Sequence, residues 1–380
     1  MTEASAPAKP HFRFFDNREK YLQFVTTCGE KWAIAERVGE ELTEIEPSPP
    51  ALRLYDAGMG DGTVLASVLR RLHEHFPTVP FLVVGKEISF EDVRLTLEKL
   101  PDRFAEHPQM VVAVTNMHYG ESPTLWPATA AKEALLEWSE VPLEGATAHE
   151  FGEQIERLDE LIAERWQVRN SEKTGNPIYK RPAVLLLYRA DRRFPLDAVI
   201  PPKAPLAGGY DLIIAAQPYR VRAPVETKVS YVLEPLAGAL APGGRMIAIQ
   251  STGQDPGMEI IREVWPDEAP FQTPGPMLLG ELRGRLRDKL PGRQFLMGSQ
   301  WNDLFRFSLH TRPEEVEPPI ATSTLLAAWN AAVYVAQVDD RKVAEVMSHA
   351  GYLEATRKIL SRHAGLWFID EAFVVTRRPD

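Results

Sequence analysis

The sequence predicts an α/β protein whose core is a doubly wound, mainly parallel sheet. Short apolar runs alternate with longer amphipathic stretches of helical spacing, which is the pattern of strands joined by crossover helices. A glycine-rich turn at residues 56–62 separates the first apolar run from a helix. Several later runs end in polar residues, at the edge of the sheet where α/β proteins bind their ligands.

The glycine turn reads Asp-Ala-Gly-Met-Gly-Asp-Gly and lies between the apolar run 52–55 and the amphipathic run 64–69. Glycine adopts positive φ readily and lets a ligand approach backbone N–H groups that a Cβ would block. The N-terminus of the following helix adds a partial positive charge. A dinucleotide fingerprint is not complete, because Thr63 stands where its third glycine is expected. The turn therefore predicts a nucleotide-like ligand of another kind.

Four later apolar runs continue the pattern. They are 80–85 before Glu87 and Ile88, 110–114 before Asn116 and Met117, 210–216 before Gln217 and Tyr219, and 246–250 after a Leu-x-Pro-Gly-Gly turn.

The acidic-x-Gly-x-Gly-x-Gly turn resembles motif I of the class I S-adenosylmethionine-dependent methyltransferases, and the order of the runs is similar to theirs. The resemblance covers about residues 50–119 and 209–250, with weaker similarity at 305–310 and 366–376. It is to the superfamily and to no closer family. It implies a seven-stranded Rossmann-like sheet and S-adenosylmethionine as the cofactor, with S-adenosylhomocysteine as its product.

The resemblance also assigns cofactor-binding residues. Asp56 would bind the methionine ammonium, Glu87 would accept both ribose hydroxyls, and Asn116 and Met117 would contact adenine. The remaining cofactor-binding positions are Gly58, Met59, Gly60, Gly62 and Ile88. A turn-forming role for Asn116 and a solvated strand-end charge for Glu87 are the structural alternatives.

The residues that would bind the methyl acceptor follow a less specific motif than the cofactor-binding residues. Gln217-Pro218-Tyr219 partly matches the acidic-or-amide, Pro, Pro, aromatic motif of amino methyltransferases, which favours nitrogen as the acceptor atom. Gln217, Tyr219 and His118 are the catalytic candidates, and Tyr21, Arg220 and Arg222 are the substrate-binding candidates. The alternative to a catalytic role is a structural one, in which Tyr219 packs beneath the next helix.

The domain organisation predicted is a disordered tail at 1–10, a helical lid or cap at 11–50 and a methyltransferase core at 51–380. Insertions are expected at about 120–208, 251–300 and 315–365, as a substrate cover or a homodimer interface. Within the first insertion, Thr147 and Glu150 form the sequence pattern of a capping box for a helix running to about Arg169.

Composition restricts the function classes. The chain has 380 residues, is 44% hydrophobic and has no apolar stretch approaching the roughly 18 residues of a membrane span. Its formal net charge of −10 argues against nucleic acid as the bulk partner, and the single Cys28 excludes an internal disulfide. The nine histidines lack ligand spacing, so no metal site is expected. We expect a cytoplasmic enzyme acting on a small molecule.

Three alternatives remain open from the sequence. A non-catalytic, cofactor-binding scaffold or regulator would bind the cofactor without turnover. A protein methyltransferase would have a groove open to macromolecules. Aminopropyl transfer from decarboxylated cofactor is disfavoured, because residues 217–219 lack an acidic pair to handle an amine.

Overall fold

The computed structural model describes residues 18–172, 177–297, 303–310 and 321–379. The predicted tail at 1–10 and the first part of the predicted lid or cap, residues 11–17, lie outside the described residues. Within the described ranges, no helix combines the length and apolar character needed to cross a membrane.

The strands in these ranges are β1 (Leu52–Asp56), β2 (Phe81–Lys86), β3 (Met110–Thr115), β4 (Glu137–Leu143), β5 (Val168–Asn170), β6 (Pro177–Tyr179), β7 (Ala183–Arg189), β8 (Tyr210–Ala216), β9 (Leu240–Ser251), β10 (Phe295–Leu296), β11 (Asp303–Ser308) and β12 (Trp367–Arg377).

The helices in these ranges are α1 (Arg18–Thr27), α2 (Glu30–Glu40), α3 (Thr63–His75), α4 (Phe90–Leu97), α5 (Pro101–Glu106), α6 (Ala130–Glu133), α7 (Ala148–Glu156), α8 (Asp159–Arg165), α9 (Val225–Lys228), α10 (Glu234–Gly238), α11 (Pro256–Val264), α12 (Gly275–Lys289), α13 (Ala321–Val335), α14 (Asp340–Met347) and α15 (Gly351–His363).

One sheet dominates the fold, with strand order β10-β12-β9-β8-β1-β2-β3-β7-β4 and β11 also paired with β12. The central strands β9, β8, β1, β2 and β3 are parallel, whereas β12 runs antiparallel to β9 and β11 antiparallel to β12. The predicted fold class, a doubly wound and mainly parallel sheet, is confirmed.

The sheet is wider than the seven strands expected. In the described chain it has ten, because β4 and β7 from the segment between β3 and β8 extend it beyond β3, and the short β10 pairs with β12. An unpaired β3 would expose a row of backbone donors and acceptors, and pairing with β7 satisfies them.

Both faces of the sheet are buried, as expected for strands flanked by helices. Leu54 packs with Val83 on the face covered by α2 to α5, α7 and α8, whereas Tyr55 packs with Val84 on the face covered by α10 and α12. A third apolar cluster joins α1, α11 and α13 to α15 with β11 and β12.

The capping box at Thr147 is confirmed: the Thr147 side chain accepts from the Glu150 N–H, and the Glu150 carboxylate accepts from the Thr147 N–H. The helix that it begins ends at Glu156, and α8 starts separately at Asp159. The prediction of a single helix running to about Arg169 is therefore wrong, because two shorter helices occupy this segment.

Candidate functional site

A cavity of about 680 Å³ lies at the carboxyl ends of β1, β2 and β8. The glycine turn and Glu87 line one side of it, and residues 216–220 line another. Tyr21 of α1 and Tyr334 of α13 contribute from the helices beyond the sheet edge. The cavity is thus at the edge of the sheet where the sequence places its polar strand ends.

The three motif glycines do different things. A Cβ on Gly58 would meet no atom within 4 Å, so Gly58 faces open cavity. Gly60 has a φ of +51°, and a Cβ there would lie 2.9 Å from the Tyr21 hydroxyl. Gly62 has a φ of +77°, and its Cβ would lie 2.7 Å from Thr96 of α4. Gly58 leaves room for a ligand, whereas Gly62 is needed for helix packing.

Glu87 fixes the glycine turn to the end of β2. One carboxylate oxygen, Oε2, accepts the Gly60 N–H at 3.0 Å. The other, Oε1, accepts the Ile88 and Ser89 N–H groups at 2.7 and 2.9 Å. These contacts hold the carboxylate at the cavity wall, where Oε2, which accepts a single N–H, retains a lone pair for a further donor.

Two opposite charges lie near the Gly58 side of the cavity. Burial raises the pKa of Asp56 to about 7, with a further contribution from Glu87, while the Gly58 N–H at 3.1 Å and the Lys31 charge oppose the rise. Lys31 lines the cavity from α2 and lies 3.0 Å from the Glu30 carboxylate. Burial alone would lower the pKa of Lys31, but Glu30, Tyr334 and Asp61 together outweigh this and raise it. Lys31 lines the cavity, whereas Asp56 is 2% exposed and lies behind Gly58.

Aromatic side chains line the cavity beyond Glu87. The Trp166 indole N–H donates to the Glu87 carbonyl at 2.8 Å, and the Tyr119 hydroxyl donates to the Pro218 carbonyl at 2.8 Å. The Lys86 ammonium lies 4.7 Å from the centre of the Tyr119 ring. Trp166, Tyr119 and Ile88 give this part of the cavity an aromatic and apolar lining.

The adenine candidates Asn116 and Met117 do not line this cavity. The Asn116 amide instead donates to the Arg165 and Arg181 carbonyls at 3.3 and 3.0 Å and accepts the Ala183 N–H at 2.9 Å. Asn116 therefore fixes the segment between β3 and β8 to the sheet.

The segment that follows β8, residues 217–228, forms one wall of the cavity through Gln217, Tyr219 and Lys228. Gln217 has a φ of +47°, a strained conformation for a residue other than glycine. Its amide donates to Ser251 Oγ at 3.0 Å and to Asp370 Oδ2 at 3.2 Å. Its carbonyl accepts the Ser251 N–H at 3.3 Å. These bonds hold Gln217 in place at the cavity wall.

Tyr219 and Lys228 complete the wall. The Tyr219 hydroxyl is buried and has no hydrogen-bond partner among the described residues. The Lys228 ammonium lies 4.7 Å from the centre of the Tyr219 ring and donates to the Val221 carbonyl and to Thr273 Oγ1 at 3.0 and 2.5 Å. Burial lowers the pKa of Lys228 to about 8, although Glu371 opposes this shift.

Of the remaining candidate residues for catalysis and substrate binding, two line the cavity and two lie outside it. Tyr21 and Arg220 line the cavity. His118 does not; it is exposed, and its ring lies 4.9 Å from that of Tyr179. Arg222 also lies outside and pairs with Glu268 at 2.7 Å.

Sequence reasoning missed several cavity residues: Lys31, Lys86, Tyr119, Trp166, Lys228 and Tyr334. Trp166 directly follows α8, and Lys31 lies on α2. Neither residue belongs to a sequence motif that indicates ligand binding. Only the packing of those helices against the sheet brings them to the cavity.

No protein-family model matches the sequence, and no curated protein matches it. Solved structures that resemble the chain include a geranyl diphosphate methyltransferase in complex with GPP and sinefungin, at 10% identity over 90% of this chain and 78% of that chain, with a TM-score of 0.34.

A phosphoethanolamine N-methyltransferase 2 from Haemonchus contortus, in complex with phosphomonomethylethanolamine and S-adenosylhomocysteine, aligns at 11% identity. It covers 99% of this chain and 62% of that chain, with a TM-score of 0.33. An O-methyltransferase family protein from Burkholderia thailandensis aligns at 13% identity over 75% of this chain and 55% of that chain, with a TM-score of 0.27. The function of the cavity is therefore inferred from its own residues.

Proposed function

We propose that the protein is an S-adenosylmethionine-dependent methyltransferase that acts on a small molecule. The observation that supports this most directly is the cavity formed between an open glycine position, Gly58, and the fixed carboxylate of Glu87. A nucleoside with an amino acid tail matches both ends of that cavity. The strand order around it is that of a doubly wound sheet with its ligand at the carboxyl edge.

The cavity lining, together with Asp56 behind Gly58, fits the parts of S-adenosylmethionine. Glu87 would accept a ribose hydroxyl through Oε2, whose remaining lone pair offers a charge-assisted hydrogen bond. Asp56 and Lys31 would hold the ammonium and carboxylate of the methionine end. Ile88, Tyr119 and Trp166 would contact the adenine ring in place of Asn116 and Met117. Lys31 would have no partner on decarboxylated cofactor, which disfavours aminopropyl transfer.

The bound cofactor supplies a methyl group already activated by the sulfonium, so the protein has to align an acceptor lone pair in line with it and exclude water. Tyr219 would wall the point of methyl transfer. Burial raises the pKa of its hydroxyl well above the usual value, so the group stays protonated and is not a base. Gln217 keeps the wall in position.

Nitrogen is the acceptor atom that this arrangement favours. An amine must be delivered with its lone pair free, which requires a proton acceptor when it arrives as an ammonium. Lys228 is suited to this role because its lowered pKa leaves part of the population uncharged near neutral pH.

Calorimetry with S-adenosylmethionine and S-adenosylhomocysteine tests the proposal. We expect micromolar binding of both and much weaker binding of nicotinamide dinucleotides and of decarboxylated S-adenosylmethionine. Absence of binding to the first two ligands would refute the cofactor assignment. Binding without transfer to any metabolite tested would favour the non-catalytic scaffold.

A further inference from the structure

The cavity contains a cation that the proposed cofactor does not use. Lys86 is the last residue of β2 and lines the cavity from the position directly before Glu87. S-adenosylmethionine carries one anionic group, its carboxylate, which we assign to Lys31 on α2. A bound cofactor would therefore leave the Lys86 charge without an anion.

The Lys86 ammonium contacts an aromatic ring and is hydrogen-bonded to no described residue. It lies 4.7 Å from the centre of the Tyr119 ring. Glu87 attracts it electrostatically, but the Glu87 carboxylate is hydrogen-bonded to three backbone N–H groups. Burial lowers the pKa of Lys86, and Glu87 opposes this shift. A buried ammonium with unused donors is stabilised by any anion that reaches it.

Tyr119 connects Lys86 to the wall formed by residues 217–228. The Tyr119 hydroxyl donates to the Pro218 carbonyl at 2.8 Å, so one tyrosine side chain contacts both Lys86 and this wall. Tyr219, the next residue on the wall, lines the cavity beside the proposed point of methyl transfer. A molecule with an anionic group at Lys86 would therefore lie along Tyr119 and place its other end at the wall.

The size and charge of the cavity suit such a molecule beside the cofactor. Its volume of about 680 Å³ is well above the roughly 300 Å³ at which pockets for drug-sized ligands start. The chain as a whole has 53 acidic and 43 basic residues, but cations outnumber carboxylates among the described residues that line the cavity. The charged lining residues are Lys31, Lys86, Arg220 and Lys228 against Glu87, Glu91 and Asp92. This reversal of the charge balance favours an anionic ligand.

We propose that the methyl acceptor carries a carboxylate and that Lys86, held in place by the Tyr119 ring, binds this carboxylate. The inference rests on the proposed function and names the class of its substrate. A carboxylate fits better than a phosphate, because one ammonium balances one negative charge, whereas a phosphate ester carries about −1.5 to −2 at neutral pH. Lys86 is thus a residue that determines substrate specificity, and it lies on β2, away from the segment that follows β8.

Fluorine NMR tests the site without a known substrate. The probes are para-fluorobenzoate and para-fluorobenzamide, which have nearly the same shape and differ in charge, added to the full chain saturated with S-adenosylhomocysteine. We expect the benzoate resonance to broaden on binding, with an affinity at least several-fold higher than that of the benzamide. Absence of benzoate binding, or equal binding of the two probes, would overturn the inference. Tighter binding of para-fluorophenyl phosphate than of the benzoate would overturn the choice of carboxylate.

The variant Lys86→Met locates the bound carboxylate. It should bind the benzoate no better than the benzamide, because the charge that distinguishes them is gone. Lys203→Met is the matched control: it removes the same charge from an exposed residue outside the cavity and should keep the preference of the wild type. A preference for the benzoate that persists in Lys86→Met would place the carboxylate at another cation.

Calorimetry with S-adenosylhomocysteine on the same samples separates this inference from the proposed function. Lys86→Met should bind S-adenosylhomocysteine as the wild type does, which also shows that the variant is folded. A loss of S-adenosylhomocysteine affinity in Lys86→Met would assign Lys86 to the cofactor and overturn the inference alone. If the wild type does not bind S-adenosylhomocysteine, the proposed function itself fails.

Discussion

Glu87 accepts the backbone N–H of Gly60 at 3.0 Å and so ties the end of β2 to the glycine turn that follows β1. The same side chain also caps the start of the next loop through the Ile88 and Ser89 N–H groups. One carboxylate therefore both shapes the turn and faces the cavity. A Glu87 variant would lose cofactor affinity in two ways: through loss of its direct hydrogen bonds to the ligand, and through distortion of the glycine turn. An experiment has to separate these two sources.

We predict that Glu87→Ala weakens S-adenosylhomocysteine binding by about 10- to 100-fold, because charge-assisted hydrogen bonds contribute ~1.5–3 kcal/mol each. An S-adenosylhomocysteine analogue that lacks the ribose hydroxyls separates the two sources. The wild type should bind this analogue more weakly than the parent, while Glu87→Ala should bind both equally. If the variant still discriminates between them, the ribose is bound elsewhere. Calorimetry measures all four affinities.

A second prediction concerns Gly58, which faces the cavity with no atom within 4 Å of an added Cβ. Gly58→Val should abolish cofactor binding by filling the ligand's space, while the melting temperature stays within a few degrees of the wild type. Gly60 is a poorer test position, since its positive φ and the nearby Tyr21 hydroxyl would strain the fold as well.

Gly120→Val is the matched control for Gly58→Val. A Cβ at Gly120 also meets nothing within 4 Å, and Gly120 lies outside the cavity. It should bind S-adenosylhomocysteine as the wild type does. Normal binding by Gly58→Val would mean that the ligand approaches the turn elsewhere.

Of the candidate residues at strand ends, Gly58, Gly60 and Glu87 line the cavity. Asp56, the glycine turn and Glu87 are fixed by the sheet register, because β1 and β2 pair in parallel with Asp56 beside Gly85. Asn116 shows the limit of that reasoning. It follows β3 as expected, but β7 pairs on the far side of β3 and brings backbone groups that occupy its amide.

Residues that reach the cavity through helix packing could not be predicted. Lys31 and Trp166 have no neighbouring motif, and their positions depend on how α2 and the end of α8 pack on the sheet. Side-chain periodicity fixes which helix face is buried, but it leaves the order and angle of the helices open.

The pKa of Asp56, raised to about 7 chiefly by burial, predicts a pH dependence for cofactor binding. Only the ionised carboxylate attracts the methionine ammonium, so affinity should increase with pH, by up to about tenfold per unit, and level off above about pH 7. Asp56→Asn should bind more weakly at high pH and lose this dependence. Calorimetry from about pH 5 to about pH 8 tests it. A pH-independent affinity in the wild type would place the ammonium away from Asp56.

The last prediction concerns Asp370, which is fully buried on β12 and supports Gln217. Burial raises its pKa well above the usual value, and the nearby Glu30 and Asp255 carboxylates raise it further, while a hydrogen bond with Ser251 and the Lys31 charge oppose the rise. Because the folded-state pKa exceeds the unfolded one, the stabilising contribution of Asp370 is complete below the unfolded pKa and is lost as pH rises through the folded one.

Asp370→Asn should therefore gain stability over the wild type as pH increases, because the amide keeps an acceptor for Gln217 and needs no proton. Urea unfolding of both proteins at about pH 5 and about pH 8 measures the difference in free energy of unfolding at each pH. Asp288→Asn, at an exposed carboxylate, controls for the loss of one charge. A difference that does not change between the two pH values would mean that Asp370 is ionised in the folded protein, with its charge balanced by Lys31.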